Sequence, residues 1–178
     1  KAGVMIRDNL DAGSIMAYMI QSVSNGVSFG WRTIPSGTCG SATQAGIVAP
    51  QWVKLTRTGN AFTAQYSADG KAWTDVRDAT TGQPVSTTIA MGTNIYIGLC
   101  VTSHTATAST MAEFSGASTT GSVTGAWQQA WIGDDVDRTN GSAGLYVAVE
   151  DSAGKSKVVA HPDPVATTLT PWQQWRIP

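Results

Sequence analysis

The chain consists of short runs in which apolar and polar residues alternate, and residues that favour turns separate these runs. Alternation with a period of two places apolar side chains on one face of an extended strand, whereas an amphipathic helix needs a period of 3.6 residues. No longer stretch of the chain has the helical period. The sequence therefore predicts an all-β protein.

Three pairs of turn residues connect neighbouring runs. Asn25-Gly26 and Asp69-Gly70 predict two-residue hairpins of type I′, in which both central residues have positive φ, and Gly59-Asn60 predicts a third hairpin. Consecutive hairpins produce an antiparallel meander, which is typical of a sandwich or barrel. The predicted strands of this region are 2–7, 15–23, 27–33, 52–57, 61–66, 71–76, 95–102 and 111–115.

A stretch of small residues predicts a domain boundary. From Ser115 to Ala126 the chain contains only Gly, Ala, Ser and Thr apart from Val123, which is too little apolar surface to order a segment. We place a linker at 118–126, between a domain at 1–117 and a β-rich segment at 127–178. The segment at 127–178 has few residues for an independent hydrophobic core, so it either packs on the first domain or is truncated. Its predicted strands are 127–132, 145–149, 156–160 and 172–177.

Composition argues against two classes of partner. Charged residues make up 13% of the chain and the formal net charge is −1, without a Lys/Arg cluster. Nucleic-acid binding is therefore not expected, because it depends on concentrated positive charge. No apolar run approaches the roughly 20 residues of a membrane span. Cys39 and Cys100 leave two alternatives open, a pair of free thiols or one disulfide.

Four ordered motifs occur in the first domain: Lys1-Ala-Gly-Val-Met-Ile-Arg-Asp8, Trp52-Val-Lys-Leu-Thr-Arg57, Tyr66-Ser-Ala-Asp-Gly-Lys-Ala-Trp73 and Tyr96-Ile-Gly-Leu-Cys-Val-Thr-Ser-His104. In these motifs the chain resembles the concanavalin-A-like (laminin-G-like) sandwich domains that occur as accessory modules in large secreted bacterial proteins. The likeness implies an antiparallel β-sandwich of the jelly-roll type at 1–117 and a secreted or cell-surface location. Such domains usually begin with further strands, so we expect a sandwich without its opening strands, starting from a processed or fragmentary N-terminus.

The segment 127–178 contains four further motifs: Trp131-Ile-Gly133, Leu145-Tyr-Val-Ala-Val-Glu-Asp-Ser-Ala-Gly154, His161-Pro-Asp-Pro164 and Trp172-Gln-Gln-Trp-Arg-Ile-Pro178. In these motifs the segment is similar to a jelly-roll module that often follows in the same proteins and normally continues further. We therefore expect an incomplete module, with the missing strands supplied by adjoining sequence or by a neighbouring copy. Its acidic loop holds hard oxygen donors suited to calcium. Asp135, Asp137 and Asn140 are the candidate calcium ligands, and a solvated acidic turn is the alternative.

Strand alternation also selects candidate ligand-binding residues. With Val53 and Leu55 facing inward, Trp52 and Lys54 face outward, and Tyr96 is expected to do likewise. A flat aromatic ring stacks on a sugar while polar neighbours bind its hydroxyl groups. We therefore predict that one sandwich face bearing Trp52, Lys54 and Tyr96 binds carbohydrate. The alternative is packing of these rings under loops.

Two further motifs are interpreted as structural. Ser67-Ala-Asp-Gly-Lys-Ala-Trp73 resembles the Asp-box, in which Trp73 packs beneath a turn, although the spacing is one residue shorter. A ligand-binding role for Trp73 is the less favoured alternative. Gly26-Val-Ser-Phe-Gly30 matches the G-x-S-x-G string of serine hydrolases. It lies in a predicted strand, where the required strand-to-helix turn is absent, so we interpret the match as chance.

Catalysis by paired acids is not predicted. Glycoside hydrolysis needs two carboxyl groups about 5–10 Å apart, but Glu113 has no acidic neighbour at i+2, and Glu150 and Asp151 point to opposite faces of a strand. We expect a non-catalytic extracellular recognition or adhesion module that binds carbohydrate. The alternatives are a structural subunit of a surface filament, with neighbouring copies as partners, and, least favoured, a glycoside hydrolase.

Overall fold

The fold is described from a computed structural model of the chain. It describes residues 1–105, 107–108, 110–121, 123, 127, 130 and 132, and the backbone of 155–160. Within these ranges the structure contains strands and turns only. No helix there is long and apolar enough to cross a membrane. The strands are β1 (Ala2–Arg7), β2 (Met16–Gln21), β3 (Val27–Arg32), β4 (Gly40–Gln44), β5 (Trp52–Thr58), β6 (Ala61–Ser67), β7 (Thr74–Asp75), β8 (Ser86–Thr88), β9 (Tyr96–Val101), β10 (Thr110–Ser115) and β11 (Lys155–Ala160).

Antiparallel pairing arranges most of these strands into two sheets, which confirms the predicted all-β sandwich. The first sheet has the order β4-β3-β2-β1-β9. In the second sheet, β5 pairs with one edge of β6, and β7 and β8 share the other edge. Since β1 pairs with both β2 and β9, the first sheet joins strands from distant parts of the chain.

The inner faces of the two sheets form the core. Alternation along each strand selects the buried residues, as the sequence predicted. Trp31, Val53 and Leu55 are partly buried and pack against this core, which confirms the predicted inward orientation of Val53 and Leu55. The core cluster consists of Ala17, Met19, Val27, Phe29, Phe62, Ala64, Val76, Ile89 and Met91.

A smaller apolar cluster lies at the β9 end of the first sheet. Leu99 and Val101 of β9 are buried there, and Ala112 and Phe114 of β10 pack against them. β10 also pairs with β11, with Thr110 opposite Ala160. The predicted strand at 156–160 is therefore present, and it pairs with the last strand of the segment at 1–117.

The hairpin geometry differs from the predicted type I′ turns. Gly26, Gly59 and Gly70 have positive φ, whereas Asn25 and Asp69 do not, so a type I′ turn is wrong at both of those pairs. Residues 22–26 connect β2 to β3, and residues 68–73 connect β6 to β7. Longer connections form because side-chain hydrogen bonds, such as that from the backbone N–H of Asn25 to Ser22 Oγ, organise them instead.

Two strands were not predicted, and two were predicted differently. β4 and β8 consist mainly of small and hydroxyl residues, so they lack the apolar alternation that identifies a strand. The strand predicted at 71–76 is limited to Thr74–Asp75, because residues 68–73 form a turn. In the strand predicted at 127–132, the described residues Trp127, Ala130 and Ile132 are outside any strand. The predicted strands at 145–149 and 172–177 lie outside the described residues.

Both cysteines are free thiols, so of the two alternatives the disulfide is wrong. Cys39 is exposed and Cys100 is buried in β9. Burial raises the pKa of the Cys100 thiol to about 12, so this thiol remains protonated and unreactive at neutral pH.

Candidate functional site

Trp52 lies on the outer face of the second sheet, at the start of β5. Its side chain is 41% exposed, and its ring lies against two glycines. A Cβ atom at Gly70 would lie 2.9 Å from Cε2 of Trp52, and one at Gly116 would lie 2.6 Å from Cη2. Because the absent Cβ atoms leave room for the ring, it packs against the two loops and still keeps exposed surface.

A cation and a second indole lie beside Trp52 on the same face. Lys54 is two residues further along β5, and its Nζ atom lies 4.1 Å from the ring centroid of Trp73. This distance is within the range of a cation–π interaction. The contact fixes the ammonium group over the ring, so the face presents a positioned donor next to two aromatic side chains.

Polar side chains continue this face across the sheet. Lys54 of β5 pairs with Gln65 of β6, which in turn pairs with Asp75 of β7. Gln65 Nε2 donates to Asp75 Oδ1 at 2.8 Å. We call the surface formed by Trp52, Lys54, Gln65, Trp73 and Asp75 the tryptophan face. It combines flat apolar rings with fixed donors and acceptors, which is the chemistry that a saccharide requires.

The turn that carries Gly70 is held by the carboxylate of Asp69. Its Oδ1 atom accepts from the backbone N–H groups of Lys71 and Ala72, at 2.8 and 2.9 Å, and from the Ser67 hydroxyl at 2.9 Å. These bonds, with that of Lys71 the strongest, lower the pKa of the Asp69 carboxyl below its ordinary value. These hydrogen bonds order the turn, and the turn positions Gly70 against Trp52. The indole of Trp73 contacts the ammonium group of Lys54, so the packing of Trp73 beneath this turn stays a prediction.

Replacing Asp69 by asparagine is expected to lower the melting temperature at pH 7 by more than it does in acid. A carboxyl whose folded pKa lies below its unfolded value of about 3.9 stabilises the fold above that value. The stabilisation is lost as the pH falls through the folded pKa. Thermal unfolding of wild type and Asp69→Asn between pH 2 and pH 7 measures the difference between their melting temperatures. This difference should become smaller as the pH falls.

Asp11→Asn is the matched control, because the carboxylate of Asp11 accepts no hydrogen bond from any described residue. At pH 7, Asp11→Asn should lower the melting temperature by less than Asp69→Asn does. A difference in melting temperature between wild type and Asp69→Asn that stays constant down to pH 2 would contradict the role of the ionised carboxylate.

Tyr96 lies on the opposite side of the sandwich from Trp52. It is 54% exposed and pairs with Arg7 in the first sheet, on the face directed away from the core. Tyr96 is thus turned outward as predicted, but the structure does not bring it together with Trp52 and Lys54. The expectation of one face that bears all three residues is wrong, because β9 and β5 belong to different sheets.

The predicted calcium ligands Asp135, Asp137 and Asn140 lie outside the described residues. Among the residues that are described, no group of three or more His, Cys, Asp or Glu side chains could hold a metal ion.

The G-x-S-x-G string lies in a strand, as predicted. Ser28 is in the middle of β3, and its Oγ atom accepts a hydrogen bond from Thr43 Oγ1 at 3.0 Å. This geometry lacks the strand-to-helix turn that a hydrolase nucleophile requires.

The tryptophan face contains one aromatic residue, Trp73, for which the sequence analysis favoured a structural role. Its position on the same face as Lys54 depends on the pairing of β7 with β6, which no local pattern shows.

Comparison of the chain with protein-family models, with curated proteins and with solved structures gave no match.

Proposed function

We propose that the protein is a non-catalytic recognition module of the cell surface or extracellular space that binds carbohydrate through the tryptophan face. The observation that carries this proposal is the half-exposed ring of Trp52, adjacent to the Lys54 and Trp73 pair. Two indole rings and a fixed ammonium group on a single sheet face suit stacking on a sugar ring and donation to its oxygen atoms.

Preorganisation supports this role. The ring of Trp52 is positioned by Gly70 and Gly116, and the ammonium group of Lys54 by Trp73. Side chains that are ordered before binding lose less conformational entropy when a ligand arrives. The face is open and lies on strands, so an extended polysaccharide can cross it without a conformational change of the sheet.

The test is binding to arrayed plant, algal and bacterial glycans, followed by calorimetry with the best ligand. We expect Trp52→Ala to weaken binding at least about tenfold, which corresponds to about 1.4 kcal/mol. Lys54→Met, which keeps the aliphatic stem over Trp73 but removes the charge, should weaken it less. Tyr96→Ala is the matched control on the opposite side of the sandwich, and it should bind like wild type.

An equal loss of affinity in Tyr96→Ala and Trp52→Ala would contradict the assignment to the tryptophan face.

Absence of binding to every arrayed glycan would favour the second candidate function, a structural subunit of a filament. The observation behind that alternative is that β4 and β5 are each paired on one side only within the described chain, and free strand edges promote pairing between molecules. Light scattering and negative-stain microscopy would then show ordered polymers.

A further inference from the structure

A cleft separate from the tryptophan face lies between two connections of the sandwich. One wall is the β4–β5 connection, with Ile47, Val48 and Gln51, and the other includes Tyr66 and Asp69. Its volume is about 560 Å³, which is within the range of about 300–1,000 Å³ found for small-molecule sites. The cleft is therefore large enough for a single sugar ring.

The wall contains an aromatic ring with an unused hydroxyl group. Tyr66 is partly buried and packs against the core, so its ring is fixed. Its hydroxyl forms no hydrogen bond with the described residues. Ile47 and Val48 supply apolar surface opposite, and Val48 is 68% exposed. An apolar lining with a free hydroxyl group matches a ligand that has both apolar and hydroxyl surfaces.

The other polar groups of the cleft are held in place but keep free acceptors. Asp69 Oδ1 receives three hydrogen bonds, while Oδ2 receives none from the described chain. Gln51 Nε2 donates to the carbonyl of Val48 at 2.9 Å, which leaves its Oε1 available. Both groups can accept hydrogen bonds from hydroxyl donors without first being ordered, and the carboxylate makes the stronger bond.

The charge of the lining restricts the ligand class. Asp69 is the acidic side chain there, and no Lys, Arg or His lines the cleft. An anionic ligand would face the carboxylate without a compensating cation, whereas a neutral polyol would donate to it. We propose that this cleft is a second saccharide site, which binds a neutral pyranose. The proposal extends the carbohydrate role, but it rests on residues that the tryptophan face does not contain.

The test is a ¹H–¹⁵N NMR titration with methyl α-glucopyranoside, methyl α-galactopyranoside and methyl α-mannopyranoside. We expect at least one of them to shift the amide signals of Ile47, Ala68 and Ala72 with millimolar affinity. Tyr66→Phe retains the ring and its packing and removes only the hydroxyl, so it should weaken binding at least about fivefold. Thr74→Val, a surface change in the same wall, should also weaken it, and Tyr96→Ala should not.

Methyl glucuronide defines the charge preference. The glucuronide should bind more weakly than the neutral glycosides. No shifts with any neutral glycoside, shifts confined to other regions, or unchanged affinity in both Tyr66→Phe and Thr74→Val would overturn the site. Tighter binding of the glucuronide than of every neutral glycoside would overturn the ligand class. If the cleft fails this test, the proposal of polysaccharide binding at the tryptophan face is unaffected, because that proposal is tested with different variants.

Discussion

Replacing Phe29 by alanine is expected to lower the free energy of unfolding by about 3–5 kcal/mol, the usual cost of truncating a fully buried phenylalanine. Phe29 is completely buried in β3, and its ring centroid lies 5.0 Å from that of Trp31. The loss combines the removed apolar surface with the cavity left between the sheets. Since the usual stability of a domain is about 5–15 kcal/mol, this substitution removes a large fraction of it. Urea denaturation measures the change.

Val23→Ala provides the control, because its side chain is 92% exposed in the β2–β3 connection. Its unfolding free energy should stay within about 0.5 kcal/mol of wild type. A loss below about 1 kcal/mol for Phe29→Ala would mean that the two sheets are not packed face to face through this residue.

Two glycines with nearly the same backbone conformation should respond differently to alanine. Gly26 has a φ of 78° and Gly46 a φ of 77°. Either substitution places a Cβ in the left-handed region, which costs about 1–2 kcal/mol. At Gly26 the new Cβ would also collide with the backbone carbonyl oxygen of Gln44, whereas nothing lies within 4 Å at Gly46. We expect Gly26→Ala to be less stable than Gly46→Ala by a further amount of about 1–3 kcal/mol.

Comparing the two variants distinguishes the effect of steric contact from that of backbone strain, because the φ angles of Gly26 and Gly46 differ by only a degree. Chemical denaturation of both variants gives the comparison directly. In the register of β3 with β4, Val27 lies opposite Gln44, which brings the β2–β3 connection close to the end of β4. Equal losses of stability in the two variants would show that this approach is less close than the register requires.

The tryptophan face and the cleft share a structural origin. The turn at 68–73 lies between them, so that Gly70 contacts Trp52 on one side and Asp69 lines the cleft on the other. The hydrogen bonds to Asp69 therefore order both candidate surfaces. We expect Asp69→Asn to affect both forms of binding through this turn, in contrast to Tyr66→Phe or Lys54→Met.

Local pattern predicted the bounds of four strands closely. The bounds of β1 are those predicted, and β3, β5 and β6 differ by one residue at one end. Apolar residues alternate with polar or small ones along β3, β5 and β6, so that burial of one face fixes both the strand and its orientation. The edge strands β4 and β8 carry few large side chains, and their pairing depends on the neighbouring strand more than on their own residues.

The sequence by itself determined which side chains of a strand share a face, because successive residues of an extended chain point in opposite directions. Trp52, Lys54 and Tyr96 were accordingly predicted to face outward. Only the tertiary structure decided that Trp52 and Tyr96 lie on opposite sides of the sandwich, and that Trp73 joins Lys54. The physical reason is that strand alternation is local, whereas the choice of sheet depends on pairing between strands distant in the chain, such as β1 with β9.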